Sequence, residues 1–214
     1  YPAIFQAANQ FITVDVSAFY VDVTKDRMYT FGAASADRRS GQTAMFLMVD
    51  GLARLLAPVL PVTMDELWRH LPGDREVSVH TALFPRDLEG WLAPDLIERW
   101  TAIGAVRDQV NVALEQQRKD KVITGSLSAA VTVAAGGGLR TLLDAYAMEL
   151  PTIFGASAVT IVEGPAGDAV GVTVAKAPGT KCERCWRYVA SVSDVPEVAG
   201  LCERCVGALA PVKG

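Results

Sequence analysis

Two C-x2-C pairs near the carboxyl end constrain this chain more than anything else in it: Cys182-Glu183-Arg184-Cys185 and Cys202-Glu203-Arg204-Cys205, with sixteen residues between them. Two residues between cysteines let one tight turn present both sulfurs to a single ion, and two such turns complete the tetrahedron of thiolates that zinc accepts. All four cysteines lie in the last 33 residues, a clustering that does not suit disulfides spread through a secreted fold and points to the cytoplasm. Other chemistries also use paired cysteines. A thioredoxin-like redox pair calls for a βαβ context and leaves the second copy unexplained, disulfides need an oxidising compartment, and the spacings depart from the common ferredoxin runs of iron–sulfur clusters. One zinc ion on Cys182, Cys185, Cys202 and Cys205 is expected, structural rather than catalytic because four protein ligands leave no open position.

Pro178-Gly179 marks the boundary of this segment, and the 35 residues that follow are too few to build a core unaided. A structural zinc site supplies what burial cannot, with apparent binding energies of about 10–16 kcal/mol. Four thiolates around one divalent ion carry a formal negative charge, so Arg184, Arg187 and Arg204 either neutralise the cluster or, with Trp186 and Tyr188, present a basic stacking surface to nucleic acid. The alternative, in which Trp186 packs over the zinc core and the arginines are solvated, stays open.

The whole chain of 214 residues is 50% apolar and 21% charged, with a formal charge of −4, which fits one large globular domain or two to three small ones. Net acidity argues against nucleic acid, but the charge is uneven: residues 176–214 hold six basic against four acidic side chains, the reverse of the rest. No run of 18 uncharged apolar residues exists, since Arg54 and the glycines interrupt the longest stretches, so neither a membrane span nor a signal peptide is expected. A chain opening on Tyr1 reads as a piece of a longer one.

Residues 1–121 read as a helical bundle. Ile4, Ala8, Phe11, Ile12, Val16, Phe19, Tyr20 and Val23 recur at three- and four-residue steps and predict a helix whose stripe faces a partner, with a bend or break near Thr13-Val14. A second helix is expected from about 38 to 56, limited by Pro58 and Pro61. A third opens on the capping box Thr63-Met64-Asp65-Glu66 and stops at Pro72-Gly73. Val77-Ser78-Val79-His80 suits an extended crossing segment. Pro94 begins the clearest helix, with Leu96, Trp100, Ile103, Val106, Val110 and Leu114 in register. Residues 122–177 change period and predict a small strand–helix–hairpin α+β unit: a strand at 129–134, a loop at Gly136-Gly137-Gly138, a helix at 139–150 and strands at 159–162 and 170–174 around a turn at 164–168. The sheet needs Leu142, Leu143, Tyr146 and Leu150 as its cover. Residues 178–214 form the zinc ribbon or knuckle, so the fold class is a mainly α-helical bundle, then a small α+β unit, then a zinc module.

No catalytic set emerges. His70 and His80 lack a third ligand or a nucleophile partner, and the triple glycine has no Lys-Ser/Thr after it, so it reads as a turn rather than a phosphate loop. Arg38-Arg39, Arg118-Lys119 and Lys121 sit at helix ends, where they either bind phosphates or act as solvated caps.

The residues become specific at 13–22, Thr13-Val14-Asp15-Val16-Ser17-Ala18-Phe19-Tyr20-Val21-Asp22, followed by Lys25-Asp26-Arg27-Met28-Tyr29. Further stretches follow in order: Arg38-Arg39-Ser40-Gly41-Gln42-Thr43, Leu55-Leu56-Ala57-Pro58-Val59-Leu60-Pro61, Ser78-Val79-His80 with Phe84-Pro85, Lys121-Val122-Ile123 before Ser126-Leu127, Glu149-Leu150, and Lys181 through Tyr188. Together they resemble the anticodon-domain segment of bacterial-type isoleucyl-tRNA synthetases of class I over almost the whole chain. Thr124 departs from the small residue often seen there. The resemblance implies a parent that attaches isoleucine to its tRNA with ATP, with the nucleotide-binding catalytic domain and the editing domain outside these residues, so that this segment alone does not aminoacylate. It implies a monomer that holds the anticodon stem and loop of isoleucine tRNA with its helices, while the zinc module reaches the tRNA or braces the bundle. RNA contacts are then expected among Arg38, Arg39, Arg118, Lys119, Lys121, Arg184, Trp186, Arg187 and Arg204, since anticodon loops offer unstacked bases to aromatic and guanidinium planes. The alternative of a different class is a stand-alone zinc-ribbon module that binds proteins or nucleic acid without ligase activity, with the helical part as scaffold.

Overall fold

The computed structural model describes residues 1–86, 88–165, 167 and 169–210; Ala166 and Asp168 of the expected turn, and the end of the expected zinc segment at 211–214, lie outside the described residues. The chain forms two units, Ala33–Pro94 on one hand and Tyr1–Gly32 with Asp95–Gly214 on the other.

In the unit Ala33–Pro94, helix α3 spans Ala36–Leu56 and helix α4 Pro61–His70. Ser35 caps α3 by accepting the Arg38 amide, which satisfies one of the orphan donors of the first turn. α4 starts two residues before the expected capping box. Pro61 stands in its first turn, where the fixed φ of proline is already helical, so Thr63 falls inside the helix rather than at its cap. Trp68 is fully buried and donates its indole N–H to the Glu76 carbonyl at 2.8 Å. The guanidinium groups of Arg54 and Arg75 lie 4.7 and 4.5 Å from its ring centre. The segment after α4 is not a strand: Val79–Thr81 makes one 3-10 turn, with Val79 buried.

In the other unit, one continuous helical run comprises α1 (Pro2–Gln10), a π-helical stretch (Phe11–Val21) and α2 (Asp22–Thr30). The expected stripe is covered only toward its carboxyl end: Ile4, Phe11 and Ile12 are exposed, Ala8, Val16, Phe19 and Tyr20 are half-buried with the Phe19 ring edge-on to Trp100 at 5.8 Å, and Val23 is buried. A π-helix closes i→i+5 bonds, so residues at three- and four-residue steps drift off a common face and the sequence period no longer marks one side.

Helix α5 spans Pro94–Lys119 and buries Ile103, Val106, Val110 and Leu114, four of the six expected positions, whereas Leu96 is exposed. These residues share a core with strand β1 (Ala129–Ala135), helix α6 (Gly137–Ala145) and the short helix α7 (Leu150–Ile153), which contribute Val131, Val133, Leu143, Leu150 and Ile153. Strands β2 (Ala158–Glu163) and β3 (Gly171–Lys176) flank β1, giving the order β2-β1-β3 with β2 parallel and β3 antiparallel to it. The expected hairpin is therefore absent, because β2 and β3 do not pair with each other. The connection leaving β2 crosses the end of β1, where the Gly164 amide bonds the Ala135 carbonyl. A Cβ at Gly164 would stand 2.6 Å from the backbone of Ala134, and one at Gly136 would stand 2.5 Å from the Pro165 carbonyl. These glycines thus serve a close backbone crossing at the start of α6.

Candidate metal centre and its mooring

The first cysteine turn is held between β4 (Thr180–Lys181) and β5 (Tyr188–Val189), a two-residue antiparallel ladder. Gly179 before it adopts φ +95°, and a Cβ there would fall 2.1 Å from the Val189 carbonyl oxygen, so only glycine fits. The amide of Cys182 bonds the Arg187 carbonyl and the amide of Trp186 bonds the Cys182 carbonyl, both at 2.9 Å, which closes the turn around the sulfurs. The second pair sits at the start of α8 (Glu203–Leu209), with Cys202 just before the first turn and Cys205 inside it. The Glu183 amide bonds the Gly200 carbonyl at 3.1 Å and ties the two turns together.

All four cysteines are buried, and their sulfurs lie within 4.8 Å of one another. Zinc–sulfur bonds of about 2.3 Å place tetrahedral sulfurs about 3.8 Å apart. The Sγ atoms of Cys185 and Cys202 are 3.8 Å apart. Burial pushes the Cys205 thiol up to about 12 and raises Cys185 as well. At Cys182 burial also opposes ionisation, but backbone N–H groups, among them the Cys202 amide 3.3 Å away, outweigh it and bring the thiol down to about 6. Four thiolates share such a space only with a cation among them, and binding it releases protons. The cage fits one structural zinc ion held by four thiolates, with Val189, Val192 and Leu201 packed around the sulfurs.

The zinc module is moored to α2 by its own arginines. Asp26 accepts two hydrogen bonds from Arg204, one of them 2.9 Å long, while Arg187 stands 3.1 Å from the same carboxylate. The Thr30 hydroxyl donates to it as well, at 2.7 Å. Burial works against the Asp26 charge, but these donors hold its carboxyl below the ordinary value. Arg184 donates to the Thr30 carbonyl and, at 3.3 Å, to the Tyr29 carbonyl, so a cation caps the carboxyl end of α2. Arg187 also reaches the Thr152 hydroxyl at 2.8 Å, and the Tyr188 amide bonds Ser157 Oγ at 2.7 Å. The arginine inside each Cys-Glu-Arg-Cys turn therefore points to the same helix end. Asp26 carries this arrangement and is not among the site residues expected from the sequence, where it appears only within the stretch Lys25-Asp26-Arg27-Met28-Tyr29; the signal for its role is the repetition of Arg at one place in both turns.

The other expected RNA contacts are scattered. Arg38 and Arg39 lie in the first turn of α3, in the unit Ala33–Pro94. Arg118 and Lys119 end α5, with Arg118 paired to Glu115 at 2.8 Å. Lys121 follows at φ 60°, where its amide bonds Arg118 O and the Val122 amide bonds Gln117 O, the paired bonds of a Schellman cap at a position usually held by glycine. Trp186 is 59% exposed and does not join the zinc core; Lys181 Nζ lies 5.4 Å from its ring centre.

Residues 1–133 match the family described as the anticodon-binding domain of tRNA ligase, and residues 179–207 match the zinc finger found in FPG and IleRS. Over 214 aligned residues the chain is 46% identical to the isoleucine–tRNA ligase of Geobacter sulfurreducens and 42% identical to that of Syntrophotalea carbinolica, in each case covering 96% of this chain and 23% of the relative. The isoleucine–tRNA ligase of Proteus mirabilis is 40% identical over 95% of this chain and 23% of its own length. The chain thus spans about a quarter of the length of these relatives. With the matched helical segment and the matched zinc segment joined at Asp26, the chain belongs to the anticodon-binding domain family of tRNA ligases, in the form found at the carboxyl end of isoleucine–tRNA ligases.

Proposed function

We propose that this chain holds the anticodon stem and loop of isoleucine tRNA as the non-catalytic, carboxyl-terminal part of a monomeric cytoplasmic ligase that attaches isoleucine to that tRNA with ATP. The catalytic and editing parts belong to the same parent chain. One observation carries the reading: helix α2, inside the segment matched to anticodon-binding domains, is also the seat on which the zinc module is fixed. No described helix is long and apolar enough to cross a membrane.

The proposed modules, 1–121 for gripping RNA, 122–177 as a spacer and 178–214 around zinc on Cys182, Cys185, Cys202 and Cys205, are units of function; the packing of α5 on β1 joins the first two physically. Among the proposed RNA contacts, the exposed Arg39, Arg118, Lys119 and Lys121 would meet phosphates and Trp186 a base, with Arg38 beside Arg39. Arg184, Arg187 and Arg204 spend donors on α2, on Thr152 and on the cysteine sulfurs, and act on RNA through the surface they fix. A stem–loop RNA carrying the isoleucine anticodon tests this. Its affinity for the zinc-loaded chain should fall as salt rises, with a log–log slope of about −0.7 to −0.9 for each phosphate met. An anticodon-altered stem–loop should bind about tenfold more weakly. Equal affinity for both RNAs would overturn anticodon reading.

A further inference from the structure

Arg107 is a charged side chain set among the core positions of α5. It stands between Val106 and Val110, both buried, and its own side chain is only 12% exposed. Taking a guanidinium out of water is costly unless its donors are met. Here two elements meet them at once. Nε donates at 2.9 Å to the Ile153 carbonyl, at the carboxyl end of α7, and Nη2 donates at 2.8 Å to Asp22 Oδ2, at the start of α2. The same guanidinium lies 5.4 Å from the ring centre of Phe19, which also meets Trp100, about two turns earlier on α5, edge-on at 5.8 Å.

These are the two elements on which the zinc module lands. Arg187 pairs with Asp26 of α2 and donates to the Thr152 hydroxyl of α7. Asp22 and Asp26 are four residues apart in one helix and so share a face of it, while Thr152 and Ile153 are adjacent in α7. Two guanidiniums therefore bridge the same pair of elements, one sent from α5 and the other from the first cysteine turn. The bridge from α5 uses no atom of residues 178–214, so it stands whether or not the module is docked. A planar fork with two fixed donor directions holds a spacing that a single ammonium on a flexible stem does not.

We propose that Arg107 is a positioning residue for RNA binding: its clamp on α2 and α7 sets the spacing of Asp26 and Thr152, and that spacing decides how the zinc module sits when RNA arrives. Arg107 acts through the module and needs no RNA contact of its own. This rests on the proposed binding of an anticodon stem–loop and names the residue that prepares the seat for it.

The zinc-loaded chain and its variants are titrated with the same stem–loop RNA, and docking is read without RNA by hydrogen exchange at the Tyr188 amide, which bonds Ser157 Oγ across the seam between module and sheet unit. Arg107→Met keeps an apolar stem beside Phe19 and loses both hydrogen bonds. It should keep one zinc per chain, speed exchange at Tyr188 about tenfold with β1 unchanged, and bind the stem–loop about five- to 50-fold more weakly. Arg107→Lys should recover only part of that loss, since one nitrogen serves one arm. Asp22→Asn, at a side chain 45% exposed, removes the other arm without touching the core and should weaken binding about two- to fivefold. With Asp26→Asn already in place, Arg107→Met should weaken binding by less than about twofold more, because the seat it prepares is no longer used. Unchanged Tyr188 exchange and RNA affinity in Arg107→Met, or losses that add in the double variant, would overturn the positioning role and leave the anticodon reading intact. Equal loss of protection at Tyr188 and in β1 would overturn it too, by making Arg107 a residue of the core. Should Arg107→Met fail to fold, Asp22→Asn decides: faster exchange at Tyr188 with β1 unchanged supports the clamp, and no change overturns it. A parent chain that does not bind the stem–loop would overturn the anticodon reading and the RNA role of Arg107 together, and Tyr188 exchange would still read the clamp.

Discussion

The sheet core and the zinc module, neighbours in one unit, are held by different forces. Around β1 the chain removes Val131, Val133, Leu143 and Leu150 from water entirely, and that burial is enough to fix three strands and the helices that cover them. Among the described residues the zinc module has no comparable core: its four buried cysteines are accompanied by three partly buried apolar residues, and its attachments are ionic and hydrogen-bonded. The first region tolerates loss of any one polar contact, whereas the second depends on a few atoms. Where few residues carry the energy, each of them is a point of failure.

The largest break follows from the cage. Cys202→Ser removes one thiolate from a site whose binding free energy, about 10–16 kcal/mol in comparable small modules, is also its folding free energy. We expect zinc content to fall well below one per chain and residues 180–210 to become protease-sensitive, while the amides of β1 keep their protection from hydrogen exchange. Full zinc content with an intact tail would show that three sulfurs suffice; loss of protection in β1 would show that the two regions fold as one.

A smaller break separates mooring from cage. Asp26→Asn keeps the shape of the side chain but leaves Arg187 and Arg204, with side chains 15% and 35% exposed, without the carboxylate they share. Loss of one partner of a largely buried cluster of this kind should cost about 3 kcal/mol, read as urea-induced undocking at lower concentration with zinc retained. The sign with pH is set by the lowered carboxyl of Asp26. Its contribution is complete above its ordinary value of 3.8 and is lost as pH falls through the lower folded value. The parent and the variant should therefore converge in strong acid. A constant gap between them would mean that the aspartate acts through shape and not charge.

Local chemistry was legible in the sequence wherever a short segment decides its own structure. The four cysteines, the α5 register at Ile103, Val106, Val110 and Leu114, and strand β1 all follow from spacing within a few residues. What escaped depends on partners far along the chain. The order β2-β1-β3 turns on Gly164 and Gly136 meeting across the end of β1, and nothing within residues 158–176 alone distinguishes it from a hairpin. The exposed face of α1 and the π-helical stretch could not be read from a 3.6-residue period, because the winding itself changes. Asp26 stands 161 and 178 positions from Arg187 and Arg204, so no local pattern pairs them. The arginines were legible as neighbours of the thiolate cluster but not as the side chains that moor it to Asp26.

The smallest effect concerns Lys121, which among the described residues shares a positive φ with one further non-glycine residue, Trp186. At the Schellman position after α5, glycine would hold the same two hydrogen bonds without a Cβ in the left-handed region, so Lys121→Gly should stabilise the chain by up to about 1 kcal/mol. The lysine is fully compatible with the cap but not favoured by it, and its side chain is exposed. If it meets a phosphate, the same substitution that stabilises the fold should weaken the stem–loop RNA and reduce the magnitude of the salt slope by about 1. Stability and binding then move in opposite directions at a single residue. A stabilised variant with unchanged RNA affinity and slope would assign Lys121 to neither fold nor RNA.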